Sequence, residues 1–327
     1  MGSFAYTPLN LDRSAFRLVR LQKGTAYEIH CELIATTLDE NTITYEAVSY
    51  TWGSQGKPYS INIQGERLNI TFNLWCILHD LRLREKDRYL WIDAISINQN
   101  DVAERAHQVQ RMRKIYGNAE CVLFCLGVAS TESANIFLAS LVYLRGETGG
   151  YRWPLNDAHW ETAWENVRKS LRSDYGDQFE KRQQEGLEEI LNKQWFRRVW
   201  ILQEVASARR ALILCYGAES VPSHIFVMGI RLMDRCLNEH SQSVVGLMPG
   251  PEGFSHMAYH SDLYSILIRF SKSEASDQRD RIYALLGLCT DGTPLKPDYE
   301  MSAEDIISAL DQHMFGNSTW QQHLAGV

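Results

Sequence analysis

Short apolar segments alternate with amphipathic ones between residues 45 and 127, and this alternation restricts the possible folds more than any other feature of the sequence. Residues 89–95 are apolar and bounded by charge, which is typical of a strand buried on both faces. Residues 102–116 carry apolar side chains at helical spacing, and Gly117-Asn118 then stops the helix before an apolar run at 120–127. Strands and helices that alternate at this length indicate an α/β fold with a parallel sheet and right-handed crossovers.

The other segments add strands before this core and helices within and after it. Residues 16–34 alternate apolar with polar side chains and predict two half-buried strands, and residues 59–70 predict a hairpin that turns at Gly65. The segment after 127 is charged, rich in tryptophan and helical in character. The predicted organisation is an N-terminal β module (1–44), a first part of the core (45–127), a helical insertion (128–192), a second part of the core (193–217) and a C-terminal helical extension (218–327).

Composition excludes several classes of function. With 33 basic and 40 acidic residues the chain has a net charge of −7, so a nucleic-acid-binding surface is not expected to be its main feature. Its seven cysteines are scattered through apolar runs without a short repeated spacing, which is typical of reduced thiols in an intracellular protein. No apolar run is long enough to span a bilayer, and the first residues lack a secretory signal, so a cytoplasmic location is predicted.

A tryptophan-rich segment at residues 195–205 contains the first candidate for chemistry. Read as one helix, it places Phe196, Trp200 and Glu204 at four-residue spacing on one stripe, with the acid beside two large rings. Such a carboxylate is either reactive or structural. The structural alternative is a solvated helix residue or an ion pair with Arg198 or Arg209.

The ends of the predicted parallel strands provide a second set of candidates, because ligands of open α/β sheets bind beyond the carboxyl ends of the strands. Residues at these ends can supply a ring to stack on a base, room for a phosphate, and polar groups for a ribose or an amide. Structural roles remain open: a core position for the tryptophan, a loop cap for the aspartate and a turn for the asparagine. The candidates are Tyr50, Trp52 and Gly53 after one strand and Asp93, Asn98 and Gln99 after the next.

Other motifs that bind nucleotides or metals are weak or missing. The chain has no Gly-x-Gly-x-x-Gly or Walker sequence, which argues against a Rossmann dehydrogenase or a P-loop NTPase. His256 and His260 have the spacing of helical metal ligands but no obvious third ligand, and Cys121 and Cys125 lie too far apart along a strand to chelate one ion. We therefore predict no metal site.

Four separated blocks resemble the signature of the fungal heterokaryon incompatibility (HET) domain. They are YEAVSYTWG at 45–53, WIDAISINQ at 91–99, RRVWILQE at 197–204 and DRIYALLG at 280–287, and the resemblance extends over roughly residues 16–299. HET domains act in non-self recognition and trigger programmed cell death. Their core is similar to the TIR domain, so the resemblance implies a flavodoxin-like parallel sheet with N-terminal strands, a helical insertion and C-terminal helices.

The resemblance also implies a reaction. Residues 200–205 are similar to the TIR helix motif whose glutamate cleaves NAD in enzymatic TIR domains, which makes Glu204 the candidate catalytic residue, with Trp200 beside it in the substrate site. NAD, or a related nucleotide, would be the substrate and no cofactor would be needed. Self-association would complete the active site on activation. The alternative is a non-catalytic signalling module that assembles with itself or with a second incompatibility protein.

Overall fold

The computed structural model describes residues 4–40, 42–127, 131–209, 211–217, 219–234, 236–251, 262–289 and 295–315. Within these ranges the strands are β1 (Ala15–Leu21), β2 (His30–Thr37), β3 (Glu46–Tyr50), β4 (Tyr59–Ile63), β5 (Glu66–Ile70), β6 (Arg88–Trp91), β7 (Cys121–Cys125), β8 (Leu212–Tyr216) and β9 (Glu219–Pro222). The helices are α1 (Phe72–Leu81), α2 (Asp93–Ser96), α3 (Val102–Val109), α4 (Met112–Asn118), α5 (Glu132–Glu147), α6 (His159–Tyr175), α7 (Phe179–Leu191), α8 (Gln194–Arg197), α9 (Trp200–Ser207), α10 (Ser223–Leu232), α11 (Glu239–Leu247), α12 (Leu263–Arg269), α13 (Asp280–Leu286) and α14 (Ala303–Phe315).

One mixed sheet, in the order β5-β4-β2-β1-β6-β3-β7-β8-β9, forms the centre of the fold. Four neighbouring strands within it, β6-β3-β7-β8, are parallel to one another. In chain order these four strands are arranged 2-1-3-4, which is the order of a flavodoxin-like sheet. The predicted α/β class is therefore confirmed. The sheet differs from the prediction at its edges, where antiparallel strands extend the parallel centre on both sides.

The N-terminal strands belong to this same sheet. Strand β1 pairs antiparallel with β2 on one side and with β6 on the other, so it joins the N-terminal strands directly to the parallel centre. The predicted hairpin is present as β4 and β5, and its turn has positive φ angles at Gln64 (54°) and Gly65 (93°). A two-residue turn with positive φ angles at both positions matches the right-handed twist of the paired strands. Glycine adopts a positive φ angle without strain.

Hydrophobic clusters cover both faces of the sheet. One face packs against α1 through Leu74, Ile77 and Leu78. The larger cluster on the other face contains apolar residues from α3, α4 and α9 and from the inserted helices α5 to α7. Because both faces are covered, β7 is buried at every position, which explains its uninterrupted apolar sequence. No helix within the described ranges combines the length and apolar character needed to span a membrane.

The prediction of one continuous helix over residues 195–205 is wrong. The chain leaves the helix after α8 and starts α9 at Trp200, because the backbone between them pairs with a distant segment. Val199 N donates to Glu274 O over 2.9 Å, and Glu274 N donates to Arg197 O over 2.6 Å. Phe196 and Glu204 therefore do not share one stripe. Glu204 lies only one turn after Trp200 at the start of α9, rather than several turns into a long helix.

Candidate functional site

A cavity of about 520 Å³ lies beyond the carboxyl ends of the parallel strands β3 and β6. This is the position at which open α/β sheets bind ligands. Three parts of the chain form its wall: the ends of β3 and β6 with α3 and α4, the α8–α9 region, and the segment from Glu274 to Asp280 together with Tyr299. Ten charged or aromatic residues line the wall: Trp52, Asp93, Arg105, Arg198, Trp200, Glu204, Glu274, Asp277, Asp280 and Tyr299.

Glu204 lines this cavity and is itself only 1% exposed. Burial raises the pKa of its carboxyl group from 4.5 to about 7, while the charge of Arg198 and the hydroxyl of Ser49 act to lower it and the charge of Asp93 to raise it. Its Oε2 atom has no hydrogen-bond partner among the described residues. The alternative of a solvated helix residue is wrong, and Glu204 makes no ion pair within 4 Å in the described part of the chain. Both protonation states are accessible to this acid near neutral pH.

Asp93 provides a second carboxylate in the same wall. Its Oδ2 accepts a hydrogen bond from Trp52 Nε1 over 2.9 Å, and its Oδ1 accepts from the backbone N of Ala94 over 2.7 Å. Burial raises the pKa of Asp93, and the charge of Arg198 and these two hydrogen bonds oppose the rise. The bond to Ala94 gives Asp93 part of the loop-capping role that the sequence left open. Trp52, which is 39% exposed, is therefore held with its indole ring at the cavity rather than in the core.

Arg198 places one positive charge near both carboxylates. It lies between α8 and α9, lines the cavity, and donates a hydrogen bond from Nη1 to the backbone carbonyl oxygen of Tyr50. Its charge lowers the pKa of both Asp93 and Glu204. This segment is fixed by its backbone pairing with Glu274, so the break between α8 and α9 is what positions the guanidinium group.

The structure brings most of the predicted site residues together. Trp52, Gly53, Asp93, Gln99, Trp200 and Glu204 all line the cavity. Gln99 donates from Nε2 to the backbone O of Asp93 over 2.9 Å and so fixes the loop after β6. Gly53 has a φ of 74°, and a Cβ there would lie 2.7 Å from Nδ2 of Asn73, so both its conformation and its contacts require glycine.

Two predicted residues lie outside the cavity wall. Tyr50 is 2% exposed and packs into the cluster on the α1 side of the sheet. Asn98 makes a turn: its Oδ1 accepts from the backbone N of Asn100 over 3.3 Å, and its own backbone N donates to Glu104 over 2.7 Å. Asn98 therefore has the structural role that its residue type allows.

The sequence analysis does not predict the third part of the cavity wall, which the segment from Glu274 to Asp280 and Tyr299 form. Tyr299 donates from its hydroxyl to Asp280 Oδ1 over 2.7 Å. The guanidinium of Arg105 lies 4.4 Å from the ring centroid of Tyr299. The motif at 280–287 contains Asp280 and is the sequence signal for this part of the wall. Nothing local marks Arg105 or Tyr299, because only tertiary packing brings them together.

Metal binding finds no support in the described ranges, which contain no cluster of three or more His, Cys, Asp or Glu residues arranged to hold an ion. His256 and His260 lie outside the described residues. The cavity instead combines carboxylates, guanidinium groups and aromatic surfaces. Such a site can bind planar rings and stabilise a positive charge that develops on a bound molecule.

Comparison with known proteins finds similarity to one family. Residues 45–204 match the family model described as "Heterokaryon incompatibility protein (HET)". The chain is 24% identical over 335 residues to "Heterokaryon incompatibility protein 6, OR allele" of Neurospora crassa, an alignment that covers 88% of this chain and 49% of that protein. The chain thus spans about half the length of this relative. No solved structure matches. The matched region contains β3, β6, β7 and Glu204, so residues 45–204 are similar to a HET domain.

Proposed function

We propose that this domain hydrolyses the bond between nicotinamide and ribose in NAD, with Glu204 as the catalytic carboxylate. One observation carries the proposal: Glu204 is buried in the cavity wall, and its Oε2 atom has no hydrogen-bond partner among the described residues. A buried polar atom is normally hydrogen-bonded, and a buried carboxyl group with a raised pKa in the wall of a cleft is a candidate functional group. The position of the cavity at the carboxyl ends of β3 and β6 supports the same interpretation.

The reaction suits a single carboxylate. The bond between ribose C1 and the pyridinium nitrogen breaks, its electron pair moves to the nitrogen, and neutral nicotinamide leaves without needing a proton. Positive charge develops on the ribose, and an ionised carboxylate stabilises that charge most when it is held in a water-poor site. A water molecule then adds to C1 and releases a proton. Since the pKa of Glu204 is about 7, its ionised form becomes dominant above neutral pH.

The rest of the cavity fits a nucleotide with two rings. Its volume of about 520 Å³ lies within the range of typical ligand pockets. Trp52, Trp200 and Tyr299 offer aromatic surfaces for an adenine or a nicotinamide ring. The carboxylates of Asp93 and Asp280 add negative charge that favours a cationic pyridinium ring.

In this proposal NAD loss is the output of an incompatibility response that kills the cell, and self-association activates the domain. The name of the Neurospora relative supports a role in heterokaryon incompatibility. A second incompatibility protein is a possible partner in the same scheme.

One observation favours the non-catalytic alternative, a module that kills by assembly. Four aromatic side chains form one surface: Phe72 and Trp75 of α1, Tyr59 of β4 and Tyr27 of the loop before β2. The ring centroids of Tyr59 and Trp75 lie 4.9 Å apart. Tyr27 is 72% exposed and Phe72 is 49% exposed. Exposed aromatic surfaces often mark sites of protein association.

Expression in cells separates the two candidates. We expect wild-type protein to deplete NAD and reduce viability, and Glu204→Gln to abolish both while expression and folding are retained. The matched control is Glu165→Gln, which changes an exposed glutamate on α6. Killing by Glu204→Gln at the wild-type level, with NAD unchanged, would contradict the enzymatic proposal and favour assembly.

A further inference from the structure

Two guanidinium groups lie against the ring of Tyr299 at the cavity. The Cζ atom of Arg105 on α3 lies 4.4 Å from the ring centroid, and the Cζ atom of Arg279, which precedes α13, lies 5.4 Å from it. The positive charge of an arginine is attracted to the face of an aromatic ring, and this contact leaves its N–H groups able to donate hydrogen bonds. The two arginines are therefore distinguished by the acceptors that their N–H groups reach.

Arg279 uses its N–H groups within the protein. Its Nε and Nη2 atoms donate to Asp277 over 2.9 and 2.7 Å. Its Nη1 atom donates to the backbone oxygens of Tyr299 and Met301 over 2.6 and 3.1 Å. Arg279 thus ties the segment before α13 to the segment before α14 and has a structural role.

Arg105 has no comparable partner. In the part of the chain that the structure describes, its side chain makes no hydrogen bond and no ion pair within 4 Å, and its Nε atom is buried. Asp277 and Asp280 lie close enough for the charge of Arg105 to favour their ionised forms, but Asp277 already accepts from Arg279 and Asp280 from Tyr299. A half-buried guanidinium with unused donors in a cavity wall is suited to an acceptor that a ligand brings.

The α3 helix holds Arg105 in a fixed place. Asp101 caps α3 by accepting from the backbone N of Glu104 over 3.0 Å. Glu104, the neighbour of Arg105, is in turn held by Arg17 of β1 through hydrogen bonds of 2.6 and 2.9 Å. Because α3 is fastened to the sheet next to Arg105, little backbone freedom is lost when this arginine binds a ligand.

A second cavity arginine acts on a different group. Arg198 favours the ionised form of Glu204, the proposed catalytic residue, whereas Arg105 favours that of Asp280. The unused donors of Arg105 therefore belong to a different part of the wall from the acid that faces the ribose. A ligand that contacts both parts needs an anionic group several bonds away from the ribose carbon that reacts. The diphosphate of a dinucleotide is such a group, and its oxygens accept paired hydrogen bonds from a guanidinium.

We propose that Arg105, seated on the ring of Tyr299, binds the diphosphate group of the dinucleotide that the cavity holds. This inference rests on the proposed function and adds to it the residue that recognises the phosphates. Loss of Arg105 weakens the binding of molecules that carry the diphosphate and leaves the binding of those without it unchanged.

Isothermal titration calorimetry with the purified chain tests this assignment. ADP-ribose is the probe that contains the diphosphate, and nicotinamide riboside is the probe that contains no phosphate. We expect Arg105→Gln to weaken ADP-ribose binding about tenfold or more, because a charge-assisted contact is lost, and to bind nicotinamide riboside as the wild type does. Arg105→Lys keeps the charge without the planar pair of donors, so a smaller loss is expected. The matched control is Arg113→Gln, which removes the same charge from an exposed position on α4 and should keep the wild-type affinity for ADP-ribose.

Equal affinity of wild type and Arg105→Gln for ADP-ribose would overturn the proposal, and so would a wild type that binds no ADP-ribose. An equal weakening of both probes would also overturn it, since the variant would then have altered the cavity as a whole. If Arg105→Gln does not fold, Arg105→Lys decides by the same measurement, and an unchanged affinity for ADP-ribose would count against the assignment.

The calorimetric test separates this inference from the proposed reaction, because binding of ADP-ribose needs no turnover. Binding that depends on Arg105 supports the diphosphate contact even where NAD is not cleaved. Cleavage of NAD by the wild type, together with an unchanged affinity of Arg105→Gln for ADP-ribose, would overturn the diphosphate contact alone.

Discussion

Replacing Glu204 by glutamine should make the protein more stable at alkaline pH, although it removes a group from the proposed active site. The folded protein holds this carboxyl group at a pKa of about 7 against an ordinary 4.5, mainly through burial. Below about pH 4.5 the group is protonated in both folded and unfolded chains and has no effect on the free energy of unfolding. As pH rises, the unfolded chain ionises first, so stability falls until the folded group has also ionised above about pH 7.

The magnitude follows from the two pKa values. Each pH unit between the unfolded and folded pKa values of Glu204 corresponds to about 1.36 kcal/mol. Ionisation of this group therefore lowers the unfolding free energy of the wild type by about 3 kcal/mol between about pH 4 and pH 8.5. Glutamine has nearly the same shape and no charge, so Glu204→Gln avoids this loss. Its advantage over wild type should be small at about pH 4 and grow to about 3 kcal/mol at alkaline pH.

Urea unfolding of both proteins at a series of pH values measures this difference. Titrating groups that do not interact with Glu204 are common to both chains and cancel in the comparison. The control Glu165→Gln alters an exposed glutamate and should follow the wild type throughout. A stability difference between Glu204→Gln and wild type that does not change from acid to alkaline pH would refute the reasoning. The carboxyl group would then titrate normally and could not be buried as described.

Three further predictions concern packing and charge. A Cβ at Gly186 would lie 2.0 Å from the backbone O of Ser133, so Gly186→Ala should force α5 and α7 apart and lower the unfolding free energy by about 1–3 kcal/mol, measured by urea unfolding. Arg17 and Glu104 form a buried bidentate ion pair with hydrogen bonds of 2.6 and 2.9 Å. Because Glu104→Ala leaves the guanidinium buried without its partner, it should lower the unfolding free energy by about 3–5 kcal/mol in the same assay. A decrease below about 1 kcal/mol would contradict the burial of this pair. Arg198→Gln removes a positive charge near Glu204 and should therefore raise the pKa of this glutamate. The ascending limb of the pH profile of NAD hydrolysis should then move to higher pH. An unmoved limb would show that the charge of Arg198 does not act on Glu204.

The parallel centre of the fold could be predicted because strands covered on both faces leave uninterrupted apolar runs in the sequence. Strand β7 was visible from such a run, and the hairpin of β4 and β5 from its turn at Gly65. The break between α8 and α9 was not, since it depends on backbone pairing with Glu274, which is far away in the sequence. Similarly, Glu104 looks like a surface residue of α3 but is buried against Arg17 of β1.

The candidate site, like the fold, could be predicted only where local sequence patterns determine it. The ends of parallel strands and the HET motifs indicated Trp52, Asp93 and Glu204, because a ligand site in this class of sheet has a fixed place relative to the strands. The wall that contains Arg105 and Tyr299 depends on the packing of segments nearly 200 residues apart in the chain, which no local pattern encodes. The role of Asn98 could not be decided by residue type, since asparagine suits both a turn and a ligand contact.

Release of nicotinamide from NAD by the purified protein tests the central claim most directly. The wild type at high concentration should produce nicotinamide and ADP-ribose, with the rate rising as pH passes through about 7, the pKa of Glu204. Glu204→Gln should be folded and should release no nicotinamide above the uncatalysed background, while Glu165→Gln should match the wild type. Equal nicotinamide release by wild type and Glu204→Gln would contradict the assignment of this buried acid as the catalytic group.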